Sequence, residues 1–502
     1  MELVFSLKIK ALSEPLNPII GNPLLKPLLY ICLFKIFLMS FFAQANGVSP
    51  YLPLKTDPLF ELELEKLATI TKLPILTRPY HAATVYKYLD KVKSSHPTLY
   101  QRLNAYIKRY KKKKALTHFS AQISHSFKDD FLLANQRALD VGDSFKITTS
   151  SFWQINEHLI LNGGGTLYNG EVIPNNSYIS FGWDVLQVDI GYREHWLSPT
   201  QEGALLLSTQ AKPALNVTVS NPELLTDWNI KYEMSVGVLE RQSGIQFDTK
   251  RAPVSGKPAL MSMHLSFQPF DWWTIGFNRT LMFAGDDNDI SIKDIWNGIT
   301  DPVNSDNCGG SGTELQDCSK EFGNQQASIS NKFDIAPFDF PLSLTWEYAG
   351  EDTKEYQNYQ LGNIAQNFGL FVPYLTTNTS MNFEYTKFHS AWYVHHIYDE
   401  GYSNDKVKMG HWWGNLKASD DGVGGSAMSM RFDWQNIGSY QLSMLYRSAE
   451  FNPSTIDQYQ RSHEVEISIA KAIKSIFFEV KLNLGEDAIG DQFLRSSFKI
   501  RW

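Results

Sequence analysis

The chain has 502 residues, a formal net charge of -7 and a mean hydropathy of -0.27. With 13% aromatic residues, among them 13 Trp, 23 Tyr and 31 Phe, it is not an extended disordered chain. So mild an acidic balance gives no footprint for nucleic acid, and the length fits either several soluble domains or one large barrel.

The first stretch reads as an address. "KPLLYICLFKIFLMSFFAQA" places Lys26 and Lys35 around an apolar run that ends at Ala43-Gln44-Ala45. Small residues about one polar position are what signal peptidase accepts, so residues 1–45 are expected to leave as a signal peptide. The segment before the run is long, and Met39 is an alternative start. Lys35 interrupts the run and argues against a membrane anchor. Further on, the longest uncharged stretch, Gln360 to Phe383, is broken by Pro373 and studded with Gln, Asn and Thr, so no spanning helix is expected.

Residues 46–116 read as a helical segment. "DPLFELELEKLATI" opens with Asp57 as N-cap, Pro58 at the first helical position and acids in the first turn. "HPTLYQRLNAYIKRYKKKK" spaces Leu99, Leu103, Tyr106, Ile107 and Tyr110 at three and four residues, and Pro74, Pro79 and Pro97 separate the helices.

From residue 117 the period becomes two. "HEVEISIAK" sets Val465, Ile467 and Ile469 opposite Glu464, Glu466 and Ser468; "FFEVKLNL" sets Phe478, Val480, Leu482 and Leu484 opposite Glu479, Lys481 and Asn483. Eighteen strands are predicted, near 118–127, 145–153, 157–167, 176–183, 186–193, 203–220, 228–240, 258–266, 272–280, 324–335, 341–349, 378–387, 391–398, 427–435, 438–447, 463–471, 476–484 and 492–502. The segment 203–220 contains Pro213, which marks a bulge, an edge or two strands. Connections alternate in length: those near 154–156, 270, 336–340 and 472–475 are short, while 128–144, 241–257, 281–323, 350–377, 399–426 and 448–462 are long. Tight turns at one end and long loops at the other are the habit of outer-membrane barrels.

The chain ends "FLRSSFKIRW", with Leu494, Phe498, Ile500 and Trp502 on one face and Arg495, Lys499 and Arg501 on the other. In a barrel the apolar face meets lipid, the first strand near 118–127 covers the open edge, and Trp502 joins an interfacial aromatic girdle. A C-terminal aromatic on such a strand also resembles the signal read by the barrel insertion machinery. The expected fold is therefore an all-β transmembrane barrel of about 18 antiparallel strands, residues 117–502, preceded by a small N-terminal α-helical segment. The expected location is the outer membrane of a Gram-negative bacterium with the helical segment periplasmic.

Cys308 and Cys318 lie in the Gly-rich "DNCGGSGTELQDCSK" and are expected to form a disulfide in an oxidising compartment. No catalytic constellation stands out: a Gly-x-Ser-x-Gly elbow is missing, "HEVEI" lacks the second His of a zinc helix, and adjacent His395 and His396 would point to opposite faces of a strand. No metal, cofactor or enzymatic activity is therefore expected. Binding has better raw material. In "HWWGNLKASDD", Trp412 and Trp413 offer stacking surfaces for sugar rings beside Asn415, Asp420 and Asp421; the alternative role for the pair is the aromatic girdle. Lys108, Arg109, Lys111, Lys112, Lys113 and Lys114 form a basic run that could meet an acidic polysaccharide or outer-membrane lipid, or end a solvated helix.

Several segments also carry a family resemblance. These are Asp57–Tyr80, "REHWLSP" with "LLLSTQAKP" (Arg193–Pro199, Leu205–Pro213), "IGFNRTLMFAGD" (Ile275–Asp286), "GNQQ" (323–326), "WEYAGED" (346–352) and "YDEGYSNDKVKMGHWWG" (398–414). Their order resembles that of the Wzi family of capsule-assembly proteins, with one departure: the turn Trp196-Leu197-Ser198-Pro199-Thr200 lacks the family's glycines. The resemblance implies an outer-membrane barrel that retains capsular or extracellular polysaccharide at the cell surface in a lectin-like way. The alternative is a porin or substrate-specific channel with a long loop folded into the lumen.

Overall fold

The computed structural model describes residues 47–127, 131–247, 252–286, 290–300, 322–353, 360–435, 440–452 and 459–502. The expected leader, residues 1–45, and both Cys308 and Cys318 lie outside them.

The helical segment forms as its punctuation predicts. Helix α1 (Pro58–Thr71) starts on Asp57, whose carboxylate accepts from the Phe60 N–H at 3.2 Å, and ends on Lys72 in the left-handed region. Helices α2 (Ala82–Leu89) and α3 (Pro97–Ile107) follow. They share a core built around Leu64, Leu67, Val85, Leu99, Leu103 and Ile107, which also takes in Phe152 and Ile160 of the barrel wall. No helix among the described residues is long and apolar enough to cross a membrane.

The wall is one antiparallel sheet: β1 (Lys114–Ser126), β2 (Ser144–Asn156), β3 (Leu159–Tyr168), β4 (Ser177–Gly182), β5 (Gln187–Tyr192), β6 (Leu215–Ser220), β7 (Lys231–Val238), β8 (Ala259–Phe270), β9 (Trp273–Phe283), β10 (Gly323–Ile335), β11 (Leu342–Gly350), β12 (Ala365–Thr376), β13 (Thr379–Phe388), β14 (Gly425–Gln435), β15 (Tyr440–Phe451), β16 (Ser462–Ile473), β17 (Ile476–Glu486) and β18 (Gln492–Arg501). Its nineteenth strand, Glu171–Ile173, only extends the end of β3. The other eighteen close on themselves, because β18 pairs with β1 from Ser120↔Arg501 to Ser126↔Arg495. Closure leaves no open edge.

Two predicted strands need correction. The segment 391–398 is not part of the wall; Ala391 and Tyr393 adopt φ of 67° and 68°, which ends any extended run. The strand missed by the sequence reading is β12, inside the connection read as 350–377. Pro373 is tolerated there because it falls where the β12–β13 register is irregular, between Val372 and Thr376. Of 203–220, only Leu215–Ser220 is strand.

Side chains alternate across the wall. On β18, Leu494, Phe498 and Ile500 face outward while Arg495 and Arg501 are buried in the lumen. Tight turns at 157–158, 271–272, 377–378 and 474–475 define one end; connections 127–143, 193–214, 239–258, 284–322, 351–364 and 389–424 define the other. Exposed Trp153, Trp183, Trp228, Trp272, Phe340, Trp434, Tyr440 and Trp502 ring the short-turn end, as in an interfacial girdle. The helices sit at this same end: Gln268 on β8 donates to the Lys72 carbonyl at 3.2 Å, and Gln435 on β14 donates to Glu63 at 2.7 Å.

Candidate functional site

At the long-loop end two connections fold inward and close the lumen. The first, Arg193–Ala214 between β5 and β6, is almost wholly buried. Its opening residues are the "REHWLSP" motif. Arg193 and His195 both hold Glu233 of β7, at 2.5 and 2.8 Å. The Trp196 indole donates to the Thr200 carbonyl at 2.8 Å, so the turn closes without the family's glycines. The Ser198 hydroxyl donates to Glu347 at 2.7 Å, and the Glu384 carboxylate accepts from the backbone N–H groups of Gln201, Glu202 and Gly203.

The second connection, 389–424, lies over the first as a cover. Tyr393 donates its hydroxyl to the Leu205 carbonyl at 2.6 Å, and Ser208 donates to the Gly410 carbonyl at 2.6 Å. Two buried lysines replace ordinary turn hydrogen bonds. Lys408 donates to the carbonyls of Tyr393, Glu400 and Ser419; Lys417 donates to those of Trp392, Asp421 and Val423. Burial pushes both ammonium groups down to about 8. Other segments singled out in the sequence serve the same construction: Asn324 and Gln326 donate to Glu351, which accepts from the Tyr393 N–H at 2.8 Å.

The cover contains every glycan-contact residue expected from sequence. Trp413 is fully buried, with Phe388 stacked on it at 4.3 Å and Phe451 at 5.4 Å. Trp412 is buried beside the His411 ring at 5.0 Å. Neither indole lies in the outer girdle or offers an open face. The Asn415 side chain accepts from the Lys408 N–H at 2.8 Å, and Asp421 accepts from the Val423 N–H at 3.1 Å. Asp420 is exposed, and Asn415 and Asp421 are half-buried, so these three reach solvent while the two indoles do not. The exposed aromatic that sequence reading passed over is Trp296. It lies on α4 (Ile292–Thr300), whose Ile295 and Ile299 pack on Leu281 and Phe283 while Ile292 and Trp296 face out. Arg279 of the "GFNRT" stretch fixes this helix by donating to the carbonyls of Gly298 and Ile299.

The basic run divides at the helix–wall junction. Lys108 and Lys111 to Lys114 are exposed, whereas Arg109 donates to the Thr117 carbonyl at 2.7 Å and covers the Trp502 ring at 4.3 Å.

Between the internal segment and the helices lies a charged compartment. Arg447 bridges Glu202 and Glu464, each at 2.9 Å, and Lys481 holds Glu466 at 2.7 Å. Glu464, Glu466 and Lys481 were legible as polar faces of strands, but their meeting with Arg447 and Glu202 across the lumen was not. The cavity they line, near Trp196 and Tyr80, is about 140 Å³. It has room for several waters but is smaller than the roughly 300–1,000 Å³ usual for small-molecule pockets.

An even-numbered closed barrel, apolar outside, with tight turns at one end and long loops at the other, is an outer-membrane β-barrel. The sequence model of the capsule assembly protein Wzi family matches residues 100–496, and the chain belongs to that family. Among curated proteins, none matches the sequence. Among solved structures, the chain is similar to Escherichia coli Wzi, an outer-membrane protein involved in group 1 capsule assembly and a carbohydrate-binding β-barrel. The TM-score is 0.65 at 14% identity, covering 90% of this chain and 99% of that one. Pseudomonas aeruginosa OccK5 (OpdH) gives a TM-score of 0.44 at 10% identity, covering 78% and 97%. OccK11 (OpdR) from the same organism gives 0.44 at 12%, covering 77% and 94%.

Proposed function

We propose that this barrel acts in capsule assembly by holding capsular or extracellular polysaccharide at the cell surface, as a lectin rather than an enzyme or a channel. Membership of the capsule-assembly family is the observation that carries this reading. The buried internal segment and its cover, which fill the long-loop end of the lumen, support it against the porin alternative. On this reading the long-loop end faces outward and the helices face the periplasm. The glycan meets the loop surface through Asp420, Asp421 and the exposed ring of Trp296, and Trp412, Trp413 and Asn415 act through the cover they hold in shape. The exposed lysines at 108 and 111–114 lie at the opposite end and meet lipid rather than capsule.

The test is a comparison of cell-bound and shed polysaccharide in cells with and without the protein. Retention predicts that material moves from the bound to the shed pool with total synthesis unchanged; a fall in both pools would instead indicate a synthesis or export role. Liposome conductance checks the alternative, for which a large, steady channel is required.

A further inference from the structure

At the short-turn end the helices do not fill the barrel mouth. The inward positions near the end of β16 carry only Ala470 and Ala472, where Glu464 fills the same face deeper in. Opposite them stand Phe60, Leu103 and Tyr106 of the helical segment, with Phe477 of β17 at the side. The result is a groove of about 730 Å³, large enough for an acyl chain. The carboxylates that border it already have partners: Asp57 pairs with Arg501, and Glu63 with Lys66 and Arg102. Exposed Lys108, Lys112 and Lys474 stand around the rim. So do Tyr440 and Trp502, two members of the aromatic girdle, which places the mouth of the groove at the level of lipid headgroups.

We propose that this groove binds one anionic phospholipid of the adjoining leaflet, with an acyl chain along Leu59, Phe477 and Ala472 and the phosphate among Lys108, Lys112 and Lys474. An apolar floor with a cationic rim fits an anionic amphiphile, and the groove continues the surface that already faces lipid. The bound lipid fills the gap between helices and wall and seats the helical segment against the membrane. The leaflet concerned is the periplasmic one on the orientation given above; binding to the purified protein does not depend on that orientation.

The experiment uses the full processed chain, delipidated in maltoside micelles and titrated with palmitoyl-oleoyl phosphatidylglycerol or with phosphatidylcholine of the same chains. Retention is read by native mass spectrometry. The expected result is one tightly held phosphatidylglycerol, with phosphatidylcholine bound roughly tenfold or more weakly, as a few interfacial lysines provide. The triple variant Lys108→Gln, Lys112→Gln, Lys474→Gln abolishes the preference. All three side chains are exposed, so it keeps the barrel fold. Ala472→Trp fills the floor and lowers retention of both lipids. Equal retention of the two lipids by the unaltered chain and both variants overturns the proposal. So does a dimer in the same spectra that excludes lipid, since a second copy would then be the occupant.

Discussion

Arg501, the penultimate residue, forms an ion pair with Asp57, the N-cap of the first helix, 444 residues away. Both side chains are buried, and Glu479 stands on the far side of the guanidinium at 3.5 Å. One carboxylate thus starts a helix and ties that helix to the strand that closes the barrel. Burial opposes its charge, yet Arg501 and the Phe60 N–H hold its carboxyl below the usual aspartate range.

Asp57→Asn keeps the cap but removes the charge, leaving Arg501 short of a counter-ion. Glu479 remains 3.5 Å from the guanidinium, so the charge keeps one partner and the expected loss is about 1–3 kcal/mol, short of the ~3–5 kcal/mol of a buried pair broken outright. Asp57→Ala removes the cap as well, for about 1 kcal/mol more. Denaturant unfolding in micelles measures both. Equal stability of Asp57→Asn and the unaltered chain would show that the pair is not coupled to folding.

Deleting Phe498 to Trp502 removes the partners of Phe477–Val480 on one side and of Ser120–Ile123 on the other. The barrel then cannot close where its two ends meet, and periplasmic aggregates are expected in place of outer-membrane protein. Heat-modifiable migration in gels, the usual sign of an intact barrel, should vanish.

Trp413→Ala empties a site enclosed by two aromatic rings, for a cost of about 3–5 kcal/mol. Trp296→Ala touches an exposed face and should leave stability within about 0.5 kcal/mol. Bound polysaccharide per folded barrel separates their roles. It should fall for Trp296→Ala at normal protein abundance, while Trp413→Ala lowers abundance and polysaccharide together.

The cover should loosen in acid. Burial pushes the His411 imidazole down to about 3, against 6.5 in the unfolded chain. Between those values the unfolded chain binds the extra proton, so stability is complete above about pH 6.5 and declines as pH falls. The decline amounts to roughly 2–3 kcal/mol by about pH 4.5. The ring is held neutral by the Trp413 N–H, which donates to its Nδ1 at 3.1 Å. Hydrogen exchange across 389–424 should quicken between pH 7.5 and 4.5; His411→Gln should weaken that dependence, the remainder coming from the His395 imidazole, which burial also pushes down to about 3.

The wall was largely legible in the sequence because lipid and a polar lumen impose opposite demands on alternate residues. The two misassigned segments show where that logic stops. "AWYVHHIY" at 391–398 has the aromatic and branched content of a strand, but those side chains fill the cover. β12 carries Pro373, which reads as a breaker, and its ladder absorbs it near a hairpin. Since one segment was gained and one lost, the count of eighteen came out right. The site was less legible for a related reason. Trp412 and Trp413 look alike as a sugar platform, as girdle and as packing, and only the strand ends decide which way a loop turns. Arg447, Glu202 and Glu464 come from three distant segments, and nothing local announces that they meet.

A barrel packed in this way resists tension along its axis. Tyr393 of the cover bonds to Leu205, Arg78 donates to the Thr200 carbonyl at 2.9 Å in the same internal segment, and Arg78 grips Glu65 of α1 at 2.7 Å. These bonds run in series from the long-loop end to the helices at the other. On the function proposed above, a polymer held at the loops and dragged by flow pulls first on the outermost of them. The load then passes down the middle of the molecule as well as into the surrounding wall, so neither the loops nor any single hairpin bears it alone.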